Sequence, residues 1–248
     1  MRPSLATIIL HYGKPALAAR LQAQLSASDP EYTVRVLDNA APEPYPDAWL
    51  RLPENRYWAG ALAHTCGLLA DEGFSHVLFL NNDLVFTSQP PHLARLFGRL
   101  KHFESAGQGR VGILVPAVEK SPYHPQMVAD PRLSHSDVEI VDGIAPCLDL
   151  RCLADVGGLD FDENPFGYGV DMWLSIRARR RGWRLVVDHQ TRVRHRYHTT
   201  ARATEGFMER AARAEHAYLA ARLGPDWRAW IEALKTRRVD QPLPGGGR

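Results

Sequence analysis

Over the first 118 residues the hydrophobic pattern switches back and forth between strand spacing and helix spacing, and this alternation limits the fold more than any other feature of the chain. Residues 5–10 form a short apolar run rich in β-branched side chains. Residues 14–28 then place Leu17, Leu21 and Leu25 four apart, the spacing of one helix face. Residues 34–37 predict a second strand, closed by Asp38-Asn39 and a Pro-rich loop. From 59 to 72, Leu62, Cys66 and Leu69 share a helical face, with Gly73 placed to end it. Residues 76–80 predict a third strand that stops at Asn81-Asn82-Asp83. Leu93, Leu96, Phe97 and Leu100 predict another helix, and residues 111–115 another buried strand. Strands alternating with helices predict an α/β architecture, a mostly parallel central sheet flanked by helices.

Beyond residue 118 the pattern is less regular. Residues 138–141 and 184–187 predict strands, and residues 170–181 a helix entered from Gly167-Tyr168-Gly169 and ended by Gly182. Phe207, Ala211, Ala214 and Tyr218, then Trp227, Trp230, Ile231 and Leu234, predict two amphipathic closing helices. No internal repeat or long linker divides the chain. A single domain over 1–240 is expected, with 1–118 and 119–200 as its halves, 201–240 as closing helices and 241–248 as a mobile tail.

Composition narrows the function classes. Hydrophobic residues at 45% and charged residues at 23% fit a soluble globular protein. Thirty basic against 28 acidic residues leave +2, too balanced for a protein that holds nucleic acid through its overall charge. The longest apolar runs, residues 5–10 and 111–118, fall well short of the ~20 residues of a membrane-spanning helix. Without a signal-peptide pattern at residues 1–4, the protein is expected in the cytoplasm. Cys66, Cys147 and Cys152 form no paired motif and are expected to be buried thiols.

In open α/β sheets ligands sit beyond the carboxyl ends of the strands. Tyr12, Asp38-Asn39 and Asn81-Asn82-Asp83 follow predicted strands and are expected to point into a common crevice. Neither GxGxxG nor GxxxxGK[ST] occurs at the first turn, which argues against a dinucleotide-binding dehydrogenase and a P-loop NTPase.

Five landmarks in order, ATIILHY, VRVLDNA, NRYWAGA, LFLNNDLVF and the stretch from Gly143 to His195, resemble the GT-A fold, family 2 glycosyltransferases, especially the rhamnosyltransferase-like branch. Within the last stretch, DLRCLADVGGLDFDE resembles the segment leading to the acceptor region, GYGVDMWLSIRARRRGW the "ED" helix, and VRH the terminal histidine. The resemblance implies metal-dependent, inverting transfer of a hexose or deoxyhexose from a UDP- or dTDP-linked donor. The acceptor would be a growing saccharide, a lipid-linked glycan or a small metabolite.

Residue by residue, the resemblance makes Asp83 and His195 ligands of a divalent cation, Mn²⁺ or Mg²⁺, that neutralises the donor diphosphate, with His198 as a substitute for His195. Asn81 takes the place of the first acid of a DxD motif and could bond ribose; Asn82 and Tyr12 accompany it at the donor. Asp38 would accept the imide N–H of uracil or thymine, and Asn55 opens a donor-lining segment in which Tyr57 and Ala63 replace the usual glycine and asparagine. Asp171 is implied as general base. Val170 stands where the family commonly has Glu, which leaves Asp171 as the acid this motif offers. Arg177 matches a family position, and Glu119, His124 and Asp142 fall where acceptor contacts could arise.

Two other readings compete. A sugar nucleotidyltransferase needs a Gly-rich basic loop after the first strand, which His11-Tyr12-Gly13-Lys14-Pro15 does not provide. A non-catalytic glycan- or nucleotide-binding module on the same fold is kept open by Asn81 and Val170. Trp227 and Trp230 could dock a second copy of the chain or the inner face of a membrane, although tryptophans at helical spacing are more often core.

Overall fold

The apolar runs of the first half become strands covered on both faces. Ile8 and Ile9 in one, and Val77 to Leu80 in another, have no exposed surface. The computed structural model describes residues 4–105, 109–196 and 205–243. Their elements are β1 (Leu5–His11), α1 (Pro15–Ser28), β2 (Val34–Asp38), β3 (Leu50–Arg51), α2 (Tyr57–Asp71), β4 (His76–Asn81), β5 (Leu84–Phe86), α3 (Leu93–Ser105) and β6 (Val111–Val118). After these come β7 (Leu133–Val138), β8 (Cys147–Asp149), α4 (Leu150–Asp155), α5 (Val170–Arg180), β9 (Arg184–His195), α6 (Phe207–Leu223), α7 (Trp227–Thr236) and β10 (Arg238–Pro242).

The strands form one sheet in the order β10-β7-β9-β6-β8-β4-β1-β2-β3, with β5 on β9. The α/β architecture is as expected, but the sheet is mixed. β1 pairs in parallel with β2 and β4, β2 with β3, and β6 with β9, while the remaining pairs are antiparallel. Helical crossovers explain the parallel half, because a parallel neighbour must be reached by a long connection. β8 enters between β4 and β6 from a loop instead, and runs against both.

Two segments depart from the predicted pattern. The run at 138–141 leaves the sheet after Val138, and Ile140 is buried among α5, α6 and α7 rather than in a strand. An apolar run alone does not say which kind of surface covers it. The strand predicted at 184–187 continues to His195, because β7 pairs with its first half and β5 with its second. Gln241 and Pro242, expected in a mobile tail, lie in β10 and pair with β7; residues 244–248 and His198 lie outside the described residues.

Two apolar clusters hold the layers together. One packs helices on the sheet. The other joins α5, α6 and α7 through Val170, Met172, Ile176, Tyr218, Leu219 and Trp227. Trp227 is thus core, and Trp230 packs against the same cluster, so the closing helices use their tryptophans internally. Arg177 also has a packing role, donating to the carbonyls of Val156 and Gly158. All three cysteines are free and buried. Among the described residues no helix is long and apolar enough to cross a membrane.

Candidate active site

Parallel pairing sets the ends of β1 and β4 side by side, with Leu10 opposite Asn81, so Tyr12 and Asn81-Asn82-Asp83 emerge at the same edge of the sheet. A cleft of about 470 Å³ opens there. Tyr12, Asn81, Asn82, Asp83, Asp171 and His195 all line it.

The register of β5 against β9 brings Asp83 to His195. Leu84 pairs with His195, which puts the preceding residue beside the imidazole. His195 Nε2 lies 3.0 Å from Asp83 Oδ1, and both side chains are largely buried. An imidazole nitrogen and a carboxylate oxygen this close, opening on a cleft, are a donor set that suits Mn²⁺ or Mg²⁺. The residues present fit the ion that the resemblance implies.

Acids line the same cleft. Asp171 stands in the first turn of α5, entered through Gly169 at φ 80, where a side chain would also crowd Leu219. Its Oδ2 accepts Gly143 N–H at 2.8 Å and its Oδ1 accepts Met172 N–H at 2.8 Å. Each oxygen keeps a lone pair for a ligand. Ser175 fixes this arrangement, because its hydroxyl donates to Asp171 O and accepts Val141 N–H, tying the segment after β7 to α5. Gly143 is required here: a Cβ would fall 2.6 Å from Trp58 Cζ2, and Trp58 also lines the cleft.

Asp142 faces the same cleft from that segment. Burial pushes its carboxyl well above the usual carboxylate range, and the neighbouring Asp171 carboxylate raises it further. Burial also raises Asp171, while the Gly143 and Met172 amides oppose the rise. The pair therefore titrates as a unit, with the negative charge favoured on the amide-bonded Asp171. Val170 itself is buried in the α5–α6–α7 core, and Asp142, from the segment after β7, is the second acid beside Asp171.

Two further charged groups line the cleft, Glu215 of α6 and Lys235 of α7. Burial pushes Glu215 up to about 7, with Asp171 adding to the rise and Arg228 and Lys235 opposing it. His124 also lines the cleft, and burial pulls it down to about 3, so it is neutral there. The sequence carries no signal for Glu215 and Lys235, which look like ordinary polar positions on amphipathic helices.

Asp38 and Asn55 are not brought to the cleft. Asp38 is 0% exposed, and its oxygens accept Ala41 N–H at 2.8 Å, Tyr45 N–H at 2.9 Å and the Arg51 guanidinium. These contacts give Asp38 a loop-closing role after β2; the contact with a nucleotide base rests on the resemblance alone. Asn55 likewise accepts Asn39 Nδ2–H and Tyr57 N–H, and caps the entry to α2. Asp38→Ala is expected to cost about 2–4 kcal/mol by stranding two buried amides and the Arg51 partner. Thermal melting would show a drop of roughly 5–15 °C; an unchanged melting temperature would contradict the loop-closing role.

The mixed α/β sheet matches the GT-A fold seen in solved glycosyltransferase structures. Among solved structures the chain is similar to a mannosyltransferase from Pyrobaculum calidifontis in complex with GDP-Man and Mn²⁺, with TM-score 0.55, 16% identity, and 94% of this chain and 75% of that one covered. It is also similar to GalNAc-T7 with UDP, GalNAc and Mn²⁺, at TM-score 0.60 and 10% identity, with 92% of this chain covered but 51% of the other. TarS of S. aureus matches at TM-score 0.51 and 12% identity over 88% of this chain and 40% of that one. At these identities the likeness is one of fold. In sequence, 191 residues are 29% identical to uncharacterized protein Rv1525 of Mycobacterium tuberculosis and to uncharacterized protein Mb1552 of Mycobacterium bovis, covering 68% of each chain. No family model matches the chain.

Proposed function

We propose that the chain is an inverting glycosyltransferase that moves a sugar from a nucleoside-diphosphate donor to a hydroxyl acceptor. One observation carries this reading: a single cleft is lined by both the Asp83–His195 pair and the Asp171–Asp142 pair. The fold neighbours with bound nucleotide, GDP-Man in one and UDP in another, support the donor class. A divalent cation held by Asp83 and His195 would supply charge to offset the leaving diphosphate.

The chain's own residues do the rest. Asp171 accepts the proton of the acceptor hydroxyl as its oxygen attacks the anomeric carbon. The new C–O bond forms opposite the breaking bond to the diphosphate, and configuration inverts. Asn81, Asn82 and Tyr12, which line the same cleft as Asp83, would hold the donor. Trp58, Tyr123, Phe166 and Tyr168 give the cleft aromatic surface suited to the C–H faces of sugar rings. The donor is proposed as a UDP- or dTDP-linked hexose or deoxyhexose, with Asp38 as the residue that the resemblance assigns to the base. A saccharide, lipid-linked glycan or small hydroxylated metabolite is the acceptor class.

The test is to incubate the full chain and Mn²⁺ with UDP-, dTDP- and GDP-linked sugars, following nucleoside diphosphate release and donor affinity together. Release from at least one donor is expected, faster with a saccharide acceptor present. Tight binding without release by any donor would identify a binding module, and absence of binding would remove the nucleotide-sugar reading.

A further inference from the structure

At the opposite end of the sheet, about 16 Å along β4 from Asn81, three metal-ligating side chains converge. His76 opens β4, Asp149 ends β8 and caps α4, and Glu104 stands in the last turn of α3. One ligand atom from each lies within 4.8 Å of the other two. His76 Nε2 is 3.9 Å from Asp149 Oδ2, beyond hydrogen-bond reach. His76 is 1% exposed, and its Nε2 and Glu104 Oε1 are buried without a hydrogen-bond partner among the described residues. A buried polar atom is ordinarily paired. Two such atoms beside one carboxylate call for a common partner.

The surrounding contacts orient these groups without filling the gap. His76 Nδ1 lies 2.8 Å from Ser75 Oγ, and the ring packs edge-on against Phe97. Asp149 accepts Arg151 N–H at 2.7 Å and is bridged by the Arg151 guanidinium. Arg151 comes no closer than 4.0 Å to Glu104.

We propose that His76, Glu104 and Asp149 form a structural site for one divalent transition-metal ion of the Zn²⁺ class, separate from the cleft. One imidazole nitrogen, two carboxylate oxygens and a water make a four-coordinate set. Binding through Nε2 selects the tautomer whose Nδ1–H donates to Ser75 Oγ, the second contact that ligating histidines ordinarily make. The ion would tie the end of α3 to β4 and to the β8–α4 junction.

The test titrates Zn²⁺ into the metal-stripped full chain carrying Asp83→Asn, which weakens the cleft's own cation set, with calorimetry and melting read in parallel. One equivalent should bind, and a hundredfold excess over Kd should raise the melting temperature by roughly 5–10 °C. Adding Glu104→Gln, at a partly exposed helix end, should weaken that equivalent at least tenfold and abolish the rise; His76→Gln should do the same where it folds. Absence of a Zn²⁺ equivalent, or one that Glu104→Gln leaves unchanged, would overturn the site and leave a water or a shared proton in the gap.

Discussion

Asp171→Asn is expected to lower turnover by about 10²–10⁴-fold, the usual contribution of a positioned general base, while leaving the cleft intact. The asparagine carbonyl can still accept Gly143 N–H, the contact that joins α5 to the 141–143 segment. What is lost is the capacity to take the hydroxyl proton. The pH profile sharpens the test. Because burial raises Asp171, kcat/KM should climb with pH through a range above that of an ordinary carboxylate and then level off, since the ionised form is the base. Stability carries the opposite sign. Acids whose folded pKa lies above the unfolded value weaken the fold as pH rises from the unfolded value through the folded one, and Glu215, pushed up to about 7, adds to this. The melting temperature of the wild type relative to that of Asp171→Asn should therefore fall as pH rises from acid to neutral. Turnover undiminished in the variant would take the base away from Asp171.

The first half of the fold was legible because its signals are local. Leu17, Leu21 and Leu25 fix a helix face by spacing alone, and residues 5–10 and 76–80 are strands whose burial on both faces shows as unbroken apolar runs. Parallel strands separated by helices then put Tyr12 and Asp83 at one edge, and the resemblance pointed to His195 and Asp171. Legibility failed where a residue's role depends on distant partners. The bonds from Ala41, Tyr45 and Arg51 to Asp38 are of this kind, since none of those contacts leaves a periodic trace. Asp142 is a second case. A single acid between Val141 and Gly143 has no motif of its own, and its importance arises from Ser175 and Gly143 drawing that segment onto α5. Most of β9 was equally hidden, since the polar residues from Asp188 to Arg194 look like a loop until β5 and β7 pair with them.

Asp83→Asn is expected to reduce turnover on the order of 10³-fold at limiting Mn²⁺, the rate equivalent of the several kcal/mol a bound cation contributes to leaving-group charge. A neutral amide oxygen is a weaker partner for a hard cation than a carboxylate, so raising Mn²⁺ should restore part of the loss. His195→Gln should behave alike, because its imidazole nitrogen and the Asp83 oxygen stand 3.0 Å apart and would serve the same ion. The two losses should then be far from additive, as residues sharing one function are. Chelation should silence the wild type, and Mn²⁺ or Mg²⁺ should revive it. Isothermal titration of a nucleoside diphosphate, with and without Mn²⁺, separates cation binding from catalysis. The wild type should gain affinity with the ion and both variants should lose most of that gain, whereas Asp171→Asn should keep it. Equal Mn²⁺ dependence in wild type and Asp83→Asn would move the cation elsewhere, and with it the account of how the diphosphate departs.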